Sequence, residues 1–341
     1  MSKEIVTSFS NLYRAYKAAK RGKSHNNGTK RFSSVALDGV RLLQEQLINQ
    51  TYKVSDYNEF TIYEPKERAI RSCQFKDKVV QHCFCDNVLL PRLEKVFVVD
   101  NYAGQIGKGT LFGLDRLKHH MLDHYNTNGF NGCILKCDVS KYFYSIDHEI
   151  LKGIVDYHFP DEYDMWLNHT FIDSTESPGL PLGNQVAQVY ALLLLHQVDV
   201  LITEELGIKQ YGRYMDDFFL IHEDKEYLKY CLKEIDKMIK SLNLSLNSKT
   251  QIVPFRKGLR FCGFHHYVTD DGKYIRKLTG ENKRKNKRKI RRLCKAVNAG
   301  TLSRKKFDEK YNAWKNHAMH GNCVKLCHSM DLMVKELLGE Q

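Results

Sequence analysis

The chain lacks a long uninterrupted apolar run. Its longest, 189–202, is broken by His196, Gln197 and Asp199, and is too short to span a bilayer. The first 22 residues lack the apolar centre of a secretion signal. Paired cysteine spacing is missing as well. The ten cysteines form no even framework, which in a chain without a leader predicts reduced thiols. Cys73, Cys83, Cys133, Cys137 and Cys262 sit among apolar neighbours and read as small core residues. His320, Cys323, Cys327 and His328 offer a Cys-x-x-x-Cys without a second pair, a weak zinc pattern. A soluble, cytoplasmic protein with no membrane partner is expected.

Acidic charge is in deficit too. Lys and Arg exceed Asp and Glu by 13 over 341 residues, an imbalance that points to a polyanionic partner. Hydrophobic content of 42% supports a large core and more than one domain.

The most informative stretch is Tyr214-Met215-Asp216-Asp217, flanked by apolar and aromatic residues on both sides. It reads as strand, tight turn, strand. Two adjacent carboxylates beside apolar strands repel each other unless a cation is shared. Hard Mg²⁺ is such a cation, held by one or two carboxylates and substrate phosphates. A polar hairpin turn is the plainer alternative. Residues 132–138 form a short apolar strand ending in a third carboxylate, Asp138. Three carboxylates suit two-metal phosphoryl transfer, with the ions about 3.5–4 Å apart. Phe143 lies five residues on, either stacked under an incoming sugar or in ordinary core.

Other segments fit around this centre. Residues 5–50 carry helical spacing interrupted by a polar, basic loop at 20–32. Residues 52–63 alternate as a strand and lead into Lys66, Arg68 and Arg71, which are either triphosphate-binding cations or a solvated basic strand. Residues 75–96 and 111–125 read as helices. Between them, 102–110 places glycines beside Lys108 and Thr110. It lacks Walker spacing but can clamp a nucleic-acid backbone. The turn-rich 177–184 loop runs into an apolar helix at 185–202, with Gly183 allowing close backbone approach and Asn184 a cap. A helix at 227–242 follows the Asp-Asp hairpin. Residues 242–252 alternate as a strand carrying Lys249, either a proton donor to a leaving group or an exposed strand lysine. In 283–292, eight of ten residues are basic, and a helix there would carry Lys283, Arg284, Lys287, Arg288 and Arg291 toward phosphates.

In their order and spacing, Asp138, Leu180-Pro181-Leu182-Gly183, Tyr214-Met215-Asp216-Asp217, Lys249 and Phe261-Cys262-Gly263-Phe264 resemble a reverse transcriptase over about residues 55–265. The texture is similar to bacterial, non-retroviral members. Glu64-Pro65-Lys66-Glu67-Arg68, 75–81, 107–110, 144–148 and the end region with Trp314 and His317 resemble the enzymes of diversity-generating retroelements. Antiphage-defence relatives share much of this. Two departures are Ala187-Gln188 where Ser-Gln is usual, and Gly104-Gln105 where Cys-Arg is common.

The resemblance implies an α+β right-hand polymerase. Residues 1–54 would be an N-terminal helical segment, 55–130 fingers, 131–265 palm with interleaved fingers and palm elements, and 266–341 a basic helical thumb. It implies RNA-templated DNA synthesis. Two Mg²⁺, with Mn²⁺ able to substitute, would sit on Asp138, Asp216, Asp217 and the Val139 carbonyl. Lys66, Arg68, Phe143, Gly183 and Gln188 would hold the nucleotide, and Lys249 would protonate pyrophosphate. Partners would be template RNA, primer and cDNA, dNTPs, and a structured non-coding RNA or small accessory protein. Leu182, aliphatic where retroviral enzymes have glutamine, implies lowered fidelity. The alternatives are a defence enzyme copying one dedicated RNA, and an inactive RNA-binding scaffold.

Overall fold

A computed structural model describes residues 2–63 and 67–339. Its strands are β1 (Asn58–Ile62), β2 (Arg68–Ser72), β3 (Cys133–Asp138), β4 (Gln210–Tyr214), β5 (Asp217–His222), β6 (Gln251–Pro254), β7 (Leu259–Phe261), β8 (Phe264–Val268) and β9 (Tyr274–Leu278). Helices make up most of the rest, so the class is α+β. The chain divides into two units. One comprises 1–109, 137–207 and 231–250, and the other 110–136, 208–230 and 251–341.

The first unit is mainly helical. Helix Phe9–Lys20 buries Leu12, Ala15, Tyr16 and Ala19, a one-faced spacing, and packs on helix Phe75–Phe84. Rings of Tyr16, Phe32 and Phe75 close the joint at 5.4–6.2 Å. The expected single helix at 75–96 is a run of three pieces: an α-helix, a π-turn at Cys85–Leu89, then Leu90–Leu93. Pro91 lacks an N–H, and the wider turn accommodates the missing bond. The 185–202 segment likewise divides into Gln185–Leu194, His196–Val200 and a π-turn at Leu201–Glu205. Taken as Gln185–Glu205, longer than the 189–202 run read from sequence, it is by length and composition apolar enough to cross a membrane. However, 78% of its most apolar stretch is buried inside the protein, and its apolarity serves the core.

β1 and β2 form an antiparallel hairpin with Ile62 opposite Arg68 and Glu59 opposite Arg71. The expected strand at 52–63 is shorter because Tyr52 is instead buried, its hydroxyl donating to Asp77 at 2.8 Å.

In the second unit the sheet order is β4-β5-β3-β6, β3 entering with residues 133–136. Phe218, Phe219, Leu220 and Ile221 are fully buried, as a strand covered on both faces requires. Helix Thr110–Asn128 packs on β4 and β5. Pro254 ends β6 at the sheet edge, where its missing donor costs nothing. β7-β8-β9 form a second antiparallel sheet. Helices Gly280–Asn298, Arg304–Met319 and Val324–Leu338 follow, sharing a core of Ile290, Cys294, Phe307, Tyr311, Met330 and Val334.

Candidate functional site

The Asp-Asp stretch is a hairpin. Tyr214 pairs with Asp217 across a two-residue turn, Met215-Asp216. Met215 has φ +58°, a left-handed conformation costing a non-glycine residue about 1–2 kcal/mol. Strain of this kind gathers at functional sites. Arg213, completely buried, holds the turn by donating from Nη1 to the Met215 carbonyl at 3.0 Å. Both Asp216 and Asp217 are half-buried. Thr110 Oγ1 donates to the Tyr214 hydroxyl at 3.3 Å.

A cation faces the pair. Lys136 Nζ lies 3.3 Å from Asp217 Oδ2, and the same ammonium donates to the Arg260 carbonyl at 2.6 Å. Arg260 leads into the Phe261-Cys262-Gly263-Phe264 turn between β7 and β8. Cys262 has φ +46° and Gly263 φ +84°, the two positive values of a type I′ hairpin. Asn282 Nδ2 donates to the Gly263 carbonyl at 3.0 Å. Burial first, then the negative charge of Asp217, pushes the Cys262 thiol up to about 12. Lys136, Arg213 and Arg260 were not among the expected site residues.

In the first unit, the backbone after Asp138 is fixed by the stretch leading to Lys249. Val139 bridges Leu246, Ser140 N donates to the Ser245 carbonyl at 2.8 Å, and Asn247 N donates to the Asp138 carbonyl at 2.7 Å. The expected strand at 242–252 is therefore this single bridge plus the short β6. Lys249 is exposed, and Asp138 is half-buried.

The same unit gathers most of the expected nucleotide contacts. Leu180 N donates to the Phe143 carbonyl at 2.7 Å, tying the 177–184 loop to the turn after Asp138. Tyr144 donates from its hydroxyl to the Ala69 carbonyl at 3.0 Å, bringing β2 and Arg68 to the same place. Gly183 has φ +109°, and a Cβ there would stand 3.5 Å from Ile70 Cγ2. Gly183 and Gln188 also line an open cleft of about 220 Å³ with Lys23, Lys78, Gln81, His82 and Gln185. Arg71 is instead engaged by Glu59 at 2.8 Å. Lys66 lies outside the described residues.

Lys108, expected as a phosphate contact, is tied to its own loop. Its ammonium donates to the carbonyls of Val98, Val99 and Asn101 at 2.9–3.3 Å. On helix Gly280–Asn298, Arg284, Lys287, Arg288 and Arg291 are exposed and Lys283 half-buried. Ile290 and Cys294 of the same helix are buried.

Among the described residues, no three His, Cys, Asp or Glu side chains group closely enough to cage a metal. In the 320–328 stretch, Cys323 Sγ accepts from Leu278 N at 3.5 Å. The Asp216–Asp217 donor set still fits a hard divalent ion. Its oxygens are carboxylate, and the Lys136 ammonium already stands in for a cation at Asp217. Magnesium needs only one or two carboxylates when substrate phosphates and water complete its shell.

The profile of a family described as reverse transcriptase (RNA-dependent DNA polymerase) matches residues 20–266. No curated protein matches the chain. Among solved structures, telomerase from Candida albicans in complex with a TWJ fragment of telomeric RNA is similar at TM-score 0.52 and 12% identity, covering 68% of this chain and 46% of that one. Apo telomerase from Candida tropicalis gives TM-score 0.48 at 12% identity, covering 62% of this chain and 47% of that one. Its form truncated from the C-terminal domain gives 0.48 at 14%, covering 66% and 57%. The chain thus spans about half the length of these proteins. At such identities the likeness concerns fold alone, and the fold is that of the right-hand polymerases.

Proposed function

Because the chain belongs to the reverse transcriptase (RNA-dependent DNA polymerase) family, we propose that it extends a primer from dNTPs on an RNA template. The observation that carries this is the carboxylate pair on the β4–β5 turn, with a cation already seated at Asp217. Asp138 ends β3 two residues after Lys136, and strand alternation gives residues two apart the same face. We assign Asp138, Asp216, Asp217 and the Val139 carbonyl to holding two Mg²⁺, with Mn²⁺ able to substitute. When bound, such ions activate the attacking 3′-hydroxyl and stabilise the leaving oxygen. Arg68 and Lys66 bind the triphosphate. Phe143 lies under the sugar and discriminates against a 2′-hydroxyl. Gly183 and Gln188 border the base, and Lys249 gives a proton to pyrophosphate. Primer extension on an RNA template with Mg²⁺ tests this. Asp216→Ala should lower incorporation by about three orders of magnitude or more. Wild-type incorporation by that variant would overturn the metal assignment.

The finer reading is a low-fidelity enzyme of a diversity-generating retroelement. It is supported by the half-buried aliphatic Leu182 in the loop beside Gly183. Leu182→Gln should reduce misincorporation, and an unchanged error spectrum on every template base would remove the reading. The alternative is a defence-associated enzyme, and one observation departs from the retroelement pattern. Gly104 has φ +63°, and a Cβ there would meet Leu192 Cδ1 at 2.9 Å. The Cys usual in retroelement enzymes does not suit this backbone. Sequencing the RNA that copurifies with the protein separates the two: one dedicated non-coding species indicates defence, a template repeat with a variable target indicates the retroelement.

A further inference from the structure

We propose that Lys136 is a positioning residue, the resident counter-ion of Asp217, which a divalent metal must displace and which meanwhile ties the 260–264 turn to the carboxylate pair. The inference rests on the reading of Asp216 and Asp217 as metal ligands.

Lysine is a poor choice inside a strand. Lys136 nevertheless occupies β3, with Ile134, Leu135 and Cys137 around it fully buried. A cation in such a place needs partners. It has two: the Asp217 carboxylate at 3.3 Å and the Arg260 carbonyl at 2.6 Å. A surface lysine without a task would extend into water. This one turns both toward a candidate ligand and toward the backbone of a separate hairpin, 124 residues away in sequence.

The electrostatic consequence has a definite sign. With the ammonium in place, Asp217 is already neutralised, and an incoming divalent ion meets a positive charge a few ångströms away. The site then admits metal weakly until substrate phosphates add negative charge. Removing the ammonium strengthens binding of metal alone and frees the Arg260 carbonyl.

The test uses the full chain with Mn²⁺ alone, by isothermal titration calorimetry, without nucleotide or nucleic acid. Lys136→Met keeps the aliphatic stem and removes the charge, and Lys136→Gln serves if the methionine variant does not fold. In either, the Kd for Mn²⁺ should fall about tenfold, the effect of one nearby charge at intermediate dielectric. Lys136→Arg should restore the wild-type value. Amides at 259–264 should exchange faster with solvent in the charge-free variant and not in the arginine variant. A charge-free variant that binds Mn²⁺ within twofold of wild type, with unchanged exchange at 259–264, overturns the proposal. No uptake of Mn²⁺ by wild type overturns the ligand reading and this inference together. Uptake by wild type that Asp217→Asn weakens, with no response to Lys136, overturns this inference alone.

Discussion

Arg213 shows how much one side chain carries at the turn. Its guanidinium is fully buried and supports a carbonyl in a conformation that methionine disfavours. Arg213→Met removes that donor and leaves a part-buried acceptor without it. A loss of about 1–3 kcal/mol is expected from that group, read as a lower urea midpoint with an unchanged m-value. Arg213→Lys lacks the planar fork and should recover only part. His266 makes a second prediction. It is completely buried, between the Tyr274 hydroxyl at 2.6 Å and the Phe261 carbonyl at 3.1 Å. Burial first lowers its pKa to about 3. Below the ordinary histidine value of about 6.5 the unfolded chain takes up a proton that the folded chain refuses. The group therefore makes stability fall with falling pH, by about 1.4 kcal/mol per unit between those two values. Urea unfolding of wild type and His266→Phe from pH 7 to 5 should differ in slope by one proton, the variant being flatter.

At the scale of elements, the β1–β2 hairpin depends on a tether. Its strands are largely exposed, and two strands alone are marginal in water. The Tyr144 hydroxyl bond to the Ala69 carbonyl links the hairpin to the turn carrying Phe143. Tyr144→Phe deletes one bond of about 1 kcal/mol. KM for dNTP should rise severalfold while primer–template affinity and melting temperature stay close to wild type. An unchanged KM would show that the hairpin does not need the tether. The same elements show what was legible in the sequence. β3 and β5 were, because buried strands write continuous apolar runs, and the Asp-Asp turn was, because it interrupts one. The 242–252 stretch misled because its alternation is real but its backbone bonds go to residues 138–140. Lys136, Arg213 and Tyr144 were not legible. Lysine, arginine and tyrosine acquire roles only from partners, and two of these partners lie 75 and 124 residues away. The contacts of Lys108 were hidden for the same reason: the carbonyls around a cation beside glycines are not written in the local sequence.

For the whole molecule, an excess of 13 positive charges has to act somewhere, and the exposed face of helix Gly280–Asn298 concentrates it. Arg284, Lys287, Arg288 and Arg291 recur at spacings of one, three and four, so they share one side of the helix. Ile290 and Cys294, on the adjoining side of the helix, turn into the shared core while the four cations stay exposed, so neutralising them leaves the three-helix core in place. Each cation that meets a phosphate releases condensed counterions, steepening the fall of affinity with salt by about 0.7 per contact on single strands and 0.9 on duplex DNA. Replacing all four by alanine should weaken nucleic-acid binding without sequence preference. It should also flatten the plot of log affinity against log salt by up to roughly three units. Filter binding between 50 and 300 mM salt reads both quantities. Weaker binding with an unchanged slope would mean that the helix acts through folding rather than phosphate contact. An unchanged affinity would move the nucleic-acid surface elsewhere on the chain.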